Sequence, residues 1–351
     1  MGVYIKDASG KRIKVAGGGS GAVGPSGQDG KSAYDYAVAG GYTGTEAAFQ
    51  ALMGSAPWVP EAGYVPASNP NLLDNWYFPD PINQRRIQSG VTWGSKVYGL
   101  DRWKSYAADA TKWVENEGIY LLGVENAILE QSIETNRFGG QRQITFSALI
   151  GTKLLSFTQD YQAGGSFDAP VEGSRYALAA PAPSDGLKMF RVYRSSLDGE
   201  TVPVIAAKVE LGDKQTLARK DADGNWVLNN PPPNRATELE KCQRYQLMMS
   251  YNFGNIGVGF AKTATTADVI VPLPISMRYI GATIPATFNG LYLTGAYHFG
   301  SNSIPVSNIT EARVSENTVR LSCDCAGELT PGHSVTLQIR GNGWIIFDAN
   351  L

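Results

Sequence analysis

The sequence predicts a mainly β protein in which a short stalk precedes two antiparallel β-sandwich or jelly-roll domains. Three observations carry the prediction. From residue 71 onward, short segments rich in β-branched and aromatic residues recur between glycine, proline and aspartate, with no long helical pattern among them. Glycine stands at 18, 21, 24, 27 and 30 in GGSGAVGPSGQDGKS, the period of a collagen-like triple helix. Between these regions, two short apolar stripes at helical spacing each end at glycine.

Residues 1–17 read as a β-hairpin. Val3 and Ile5 precede an Asp-Ala-Ser-Gly-Lys turn, and Ile13 and Val15 follow it in period-two alternation. A lone two-stranded hairpin is barely stable in water, so this one needs something to dock on. Residues 18–32 are the Gly-X-Y segment, with Gly18, Gly21, Gly24, Gly27 and Gly30 at the crowded axis of a three-chain stalk; a flexible linker is the competing reading. With a single proline the run is too weak to hold three chains by itself, so its role is spacing and register.

Residues 33–57 read as a helical trimerisation module. Ser32 caps a first helix carrying Tyr34, Ala37 and Val38 on one face, stopped by Gly40 and Gly41. Thr43 to Glu46 has the capping-box spacing for a second, with Phe49, Leu52 and Met53 as its stripe and Gly54 as its end. Helices this short gain stability by packing, most economically against copies of themselves. Residues 58–70 are a linker. Residues 71–245 then form the larger β domain, built from segments such as IYLLGVENAILEQSI, QITFSALIGTKLLSF and LKMFRVYRS, with a short helix in TELEKCQRY. Residues 246–351 form a smaller β-sandwich. In it VTLQIR places Val335, Leu337 and Ile339 on one face, and Gly341 to Gly343 turn the chain into Trp344 to Phe347 as a terminal hairpin.

Composition removes several function classes. Charged residues are 18% of the chain and the net charge is -2, so no basic field draws in nucleic acid. No run of apolar residues is long enough to insert in a membrane. The first residues lack the apolar core of a secretory signal, which predicts synthesis in the cytoplasm without a signal peptide. Three cysteines make no disulfide framework, and Cys323 and Cys325 alternate with Val319 and Leu321 on what reads as the core face of a strand. Two histidines cannot build a multi-imidazole metal site. SLDGE and KDADGNW supply oxygens, yet neither fits a twelve-residue calcium loop, and Asp-Gly is ordinary turn chemistry. No metal, no cofactor and no catalytic residue is expected.

The glycine triplets running into GKSAYDYAVAGGYTGTEAAFQALMG resemble the stalk of tail fibre proteins from phages and prophages of Gram-positive bacteria. NLLDNW, DRWK, AAKVELG and TELEKCQRYQ resemble the jelly-roll heads of such fibres, which are similar in shape to carbohydrate-binding modules. PLPISMR and the ending FDANL are similar to the C-terminal end of the same group. The resemblance implies a homotrimeric, receptor-binding virion protein of the tail. Its N-terminus would join phage tail or baseplate proteins, and its heads would adhere to bacterial surface polysaccharide or glycan. A polysaccharide-degrading tailspike and a capsid or neck decoration fibre are the alternatives.

Sugar binding needs an exposed aromatic face and planar polar side chains. Aromatic residues crowd the stretch from Trp76 to Trp113, with Asn75, Asn83, Gln84, Arg85 and Arg86 among them. Trp76 and Trp103 read as core. Trp93, Tyr98, Arg85 and Arg86 are the candidate glycan contacts.

Overall fold

A computed structural model of the chain describes residues 2–6, 12–17, 33–39, 41–49, 68–94, 96–106, 111–122, 127–140, 143–194, 200–250, 254–278, 281–295, 303–327 and 329–350. The Gly-X-Y run 18–32, Leu52, Met53 and Gly54 lie outside them. The described residues are mainly β with antiparallel sheets, and none of their helices is long and apolar enough to cross a membrane. The chain divides into two compact units, Met1–Val65 and Pro66–Leu351.

In the first unit, β1 (Gly2–Lys6) pairs antiparallel with β2 (Arg12–Gly17), placing Ile5 opposite Ile13. Helix α1 (Ala33–Ala39) ends where Gly41 takes φ +99°. The Gly41 N–H donates to the Val38 carbonyl and the Tyr42 N–H to that of Ala37, a Schellman closure. Val38, assigned to the packed face by its spacing, is 45% exposed, and packing falls instead to Ala37 and a ring trio of Tyr34, Tyr42 and Phe49. Residues 46–49 are helical, and the cap is Thr45, whose hydroxyl accepts from the Ala48 N–H at 3.2 Å. Thr43 matched the capping-box spacing, but Thr45 stands immediately before the helical residues and takes the role.

The second unit begins with two six-stranded sheets. The first has the order β10-β9-β14-β7-β6-β3 and the second β11-β12-β13-β8-β5-β4. The strands are β3 (Thr92–Trp93), β4 (Val97–Tyr98), β5 (Lys104–Ser105), β6 (Thr111–Val114), β7 (Gly118–Leu121), β8 (Ala127–Glu134), β9 (Gln143–Ile150), β10 (Lys153–Asp160), β11 (Gly165–Val171), β12 (Ser174–Ala180), β13 (Leu187–Arg194) and β14 (Pro203–Leu211). Both sheets contribute to one core. Phe146 of β9 stacks on Phe190 of β13 with centroids 5.9 Å apart, and Trp103 meets Phe78 at 5.0 Å. β13 alternates buried and half-buried at every residue, the pattern of a strand with one face on a core. The segment NLLDNWYF is laid along β14 by backbone hydrogen bonds from Leu72 to Val209 and from Phe78 to Ile205, and from Ala207 back to Trp76. Trp103 is fully buried, its indole N–H donating to the Asn75 carbonyl at 2.8 Å, and Trp76 is 8% exposed.

β15 (Ala218–Lys220) and β16 (Trp226–Leu228) form a small hairpin, and α2 (Arg235–Gln243) follows, capped by the Asn234 side chain. In the turn of KDADGNW, the Asp221 carboxylate accepts from the Asp223 and Asn225 N–H groups, and Gly224 sits at φ +86°. The carboxylate closes a turn. SLDGE falls largely on residues outside the description.

The last segment departs from expectation in two ways. Its strands β17 (Gln246–Met249), β18 (Gly254–Ala261), β19 (Thr266–Pro272), β20 (Ala286–Gly295), β21 (Ser303–Val314), β22 (Thr318–Cys325) and β23 (Ser334–Asp348) form a single sheet, and β23 pairs with β20 to close it on itself. Alternation predicts a sandwich here; the register makes a barrel-like closure. Nor is there a terminal hairpin. β23 is one bent strand of 15 residues whose first half pairs with β18 and the second with β17, both also meeting β20. The bend is where Gly341 takes φ +58°, and where Gly343 lies so close to the Arg340, Asn289 and Gly290 carbonyls that a Cβ would sit within 2.8–2.9 Å of them. Val319, Leu321, Cys323 and Cys325 of β22 all point into this barrel's core.

Candidate ligand-binding face

On the second sheet of the sandwich, side chains opposite one another share a face. Phe190 and Val192 of β13 enter the core, so Arg191 and Tyr193 point outward. The register continues that outer face across the sheet: Tyr98 opposes Lys104, Lys104 opposes Glu130, and Glu130 opposes Arg191. Tyr106 lies one step along β5's line, its N–H bonded to the Ile128 carbonyl. The result is a ladder of rings and cations. The Lys104 ammonium is 5.7 Å from the Tyr98 centroid and 5.1 Å from that of Tyr106, and the Arg191 guanidinium is 5.9 Å from Tyr106. Glu130, 3% exposed, anchors the row by accepting from Arg191 Nε at 2.5 Å. Small residues flank it, Ala177 opposite Tyr193 and Ala179 opposite Arg191.

Burial is the first cause that pushes the Tyr98 phenol up to about 12, with Arg102 opposing it. Burial and the neighbouring Glu130 also raise Tyr106. A side-chain hydrogen bond to Glu130 is among the causes at Tyr106, so this phenol is tied to the same carboxylate as Arg191.

The four candidates from the sequence fall in different places. Tyr98 is on the face, half-buried. Arg85 approaches its ring at 5.7 Å, but its guanidinium also pairs with Asp348 of β23 at 2.6 Å. Arg86 donates to the Ser250 hydroxyl at 2.5 Å, so both arginines tie the sandwich to the barrel. Trp93 lies in the other sheet, 5% exposed, against Gly99, where any Cβ would collide with its ring. Its ring faces are in the core. Lys104, Glu130, Arg191 and Tyr193 lie outside the four sequence candidates, and Tyr106 belongs to the aromatic stretch Trp76 to Trp113 without being one of them. The signal was present as period-two spacing in WKSY and FRVY, which sends Lys104 with Tyr106, and Arg191 with Tyr193, to the face opposite the core.

Beside this face runs a polar seam between sandwich and barrel. Asp101, fully buried, accepts from the Gln84 N–H at 3.0 Å, the Gln84 amide at 2.6 Å and the Gln246 amide at 3.2 Å. Burial, opposed by those bonds from Gln84, raises its pKa to about 7. Arg102 lies 3.5 Å over the Tyr245 ring and donates to Asp74 and to the Ser132 carbonyl. Further along, a cleft of about 390 Å³ is lined by Glu134, Asn136, Asp185, Arg244 and Arg278, with Arg278 paired to Glu134 at 2.6 Å. Among the described residues no group of three or more His, Cys, Asp or Glu is arranged to hold a metal ion. The three thiols are buried and free, and burial raises Cys323 to about 12.

No protein-family model, curated protein or solved structure matches the chain.

Proposed function

We propose that the chain is an adhesive fibre subunit of a phage or phage-like tail, a homotrimer whose sandwich binds bacterial surface glycan on the outer face of its second sheet. The observation that carries the reading is the ladder Tyr98–Lys104–Tyr106–Arg191 on that face. Aromatic rings accept the C–H side of a pyranose, and fixed N–H and O–H donors meet its hydroxyls. Two facing six-stranded sheets suit a jelly-roll head. The N-terminal hairpin would attach to tail or baseplate proteins, and the Gly-X-Y run with its helices would hold three heads in register. Three weak sites on one stalk bind a repetitive surface by avidity, so no single site needs high affinity.

The test is binding of the purified full chain to cell-wall glycan from candidate Gram-positive hosts. Tyr98→Ala with Tyr106→Ala is expected to weaken binding about tenfold or more, a loss of roughly 1.4 kcal/mol per site, while leaving the melting temperature near that of the parent. Undiminished binding removes this face from the reading. New reducing ends in the same mixture would make the protein a depolymerase instead of an adhesin.

A further inference from the structure

Arg278, Arg320 and Arg340 of the barrel are half-buried. Arg278 pairs with Glu134 at 2.6 Å and Arg320 with Glu311 at 2.7 Å. Arg340 forms no ion pair among the described residues and is held by neutral groups. Its Nε and Nη2 donate to Gln338 Oε1 at 3.1 and 2.7 Å, and its Nη1 donates to the Ser303 hydroxyl. Gln338 is fixed in turn, its amide donating to Asn255 Oδ1 at 2.8 Å. These groups share the barrel's exterior. Leu291, Leu293, Leu337 and Ile339 enter the core, so Tyr292, Thr294, Gln338 and Arg340 point outward. Gln338 of β23 stands between Asn255 of β18 and Tyr292 of β20, and the Arg340 guanidinium is 5.3 Å from the Tyr292 centroid. On the same face, opposite Ser303, the Thr294 hydroxyl is buried with no hydrogen-bond partner among the described residues.

We propose that this face of the barrel is a saccharide site of its own, taking a sugar that carries an oxyanion, a carboxylate or a phosphate. It goes beyond the sandwich reading and stands without it. A guanidinium has five N–H donors, and the bonds to Gln338 and Ser303 use three of Arg340's. Two remain, on the residue type whose planar fork matches carboxylate and phosphate. Neutral partners fix the guanidinium without cancelling its charge, so an incoming anion meets a donor already in place. The other groups suit a sugar. The Tyr292 ring offers an apolar surface to its C–H side, the Asn255 and Gln338 amides are planar polar groups, and the Thr294 hydroxyl has hydrogen bonds still to make. A nucleic-acid backbone fits poorly, since one cation on a chain of net charge -2 does not neutralise a run of phosphates.

The experiment is saturation-transfer NMR on the full chain with glucose, glucuronate and glucose 1-phosphate, and with inorganic phosphate as competitor. Arg340→Gln removes the cation. Gln338→Glu keeps Arg340 and gives it a carboxylate, so the test survives if the first variant fails to fold. Arg313→Gln removes an exposed arginine elsewhere on the barrel and is the control. Glucuronate, glucose 1-phosphate or both are expected to take up saturation at least about fivefold more strongly than glucose. That signal falls to the glucose level in Arg340→Gln and Gln338→Glu and persists in Arg313→Gln. Whichever acid gives it names the oxyanion. Equal signals from glucose and the two acids overturn the proposal. A signal that survives both variants belongs to another face and overturns this one, and an equal fall in Arg313→Gln means diffuse attraction and does the same. Complete displacement by equimolar inorganic phosphate would mean that the site reads an ion alone, and overturns the saccharide assignment.

Discussion

At Asp101, burial and hydrogen bonding pull in opposite directions. Three donors favour the carboxylate, and removal from water disfavours it more, leaving the group at about 7 against 3.8 in water. A carboxyl with a raised folded pKa takes up a proton on folding between those two values. Its contribution to stability is therefore fully favourable below pH 3.8, falls as pH rises toward about 7, and is constant above. At about 1.4 kcal/mol per unit, the span is a few kcal/mol at most. Asp101→Asn keeps an acceptor for the Gln84 N–H and removes the titration. The parent is expected to lose melting temperature between pH 4 and 7 relative to the variant; parallel pH profiles would show that Asp101 does not titrate in this range. The same residue explains why part of the site was not legible. DRWK reads as a strand with a core tryptophan, and so it is. That its aspartate would reach Gln246, 145 positions away, is set by the packing of sandwich on barrel, which no local pattern encodes.

At the level of elements, legibility followed the range of the interactions involved. The hairpin, the capped helix over TELEKCQRY and the alternation in LKMFRVYR and VRLSCDC depend on neighbours a few residues apart, and their periodicity carries over to the folded strands and helices. β23 depends on partners far away. Gly-Asn-Gly between two apolar runs is a hairpin signal. Here β20 pairs with both halves of β23, on either side of a register shift between Asn289 and Leu291, and the glycines serve a bend in one strand. The ladder on the sandwich face was half legible in the same sense: period two gave its residues a common side, whereas the order β13-β8-β5-β4 that lines them up came only from the fold. The bend makes a contrast that can be measured. At Gly343 a methyl would press on three carbonyl oxygens, and at Gly332, φ +82°, nothing lies within 4 Å. Gly343→Ala is expected to cost about 2 kcal/mol or more by denaturant unfolding, against about 1 kcal/mol for the backbone strain of Gly332→Ala. Equal costs would mean that β23 does not need to pass so close to β20 at its bend.

For the whole molecule, the proposed function depends on number as much as on chemistry. On that proposal, a face of two tyrosines and two cations per head would bind a sugar weakly, and three heads held together would raise the effective concentration at a repetitive surface. On the same proposal, the Gly-X-Y run would set their spacing, at roughly 3.1 Å per residue if wound as a triple helix. Gly24→Ala with Gly27→Ala separates the two readings of that run, since only glycine fits at a triple-helix axis while a flexible linker tolerates alanine. If the run is wound, the variant trimer dissociates at a higher protein concentration in sedimentation equilibrium. The unfolding transition of the β unit stays in place, because Pro66–Leu351 forms its own compact unit. Binding to immobilised cell-wall polysaccharide then falls by about a hundredfold at concentrations where trimers have come apart, and binding of a short soluble oligosaccharide is unchanged. A linker predicts no change in either. Loss of the oligosaccharide affinity as well would mean that a single head does not hold a complete site, and would move the ligand contact from the sandwich face to the boundary between copies.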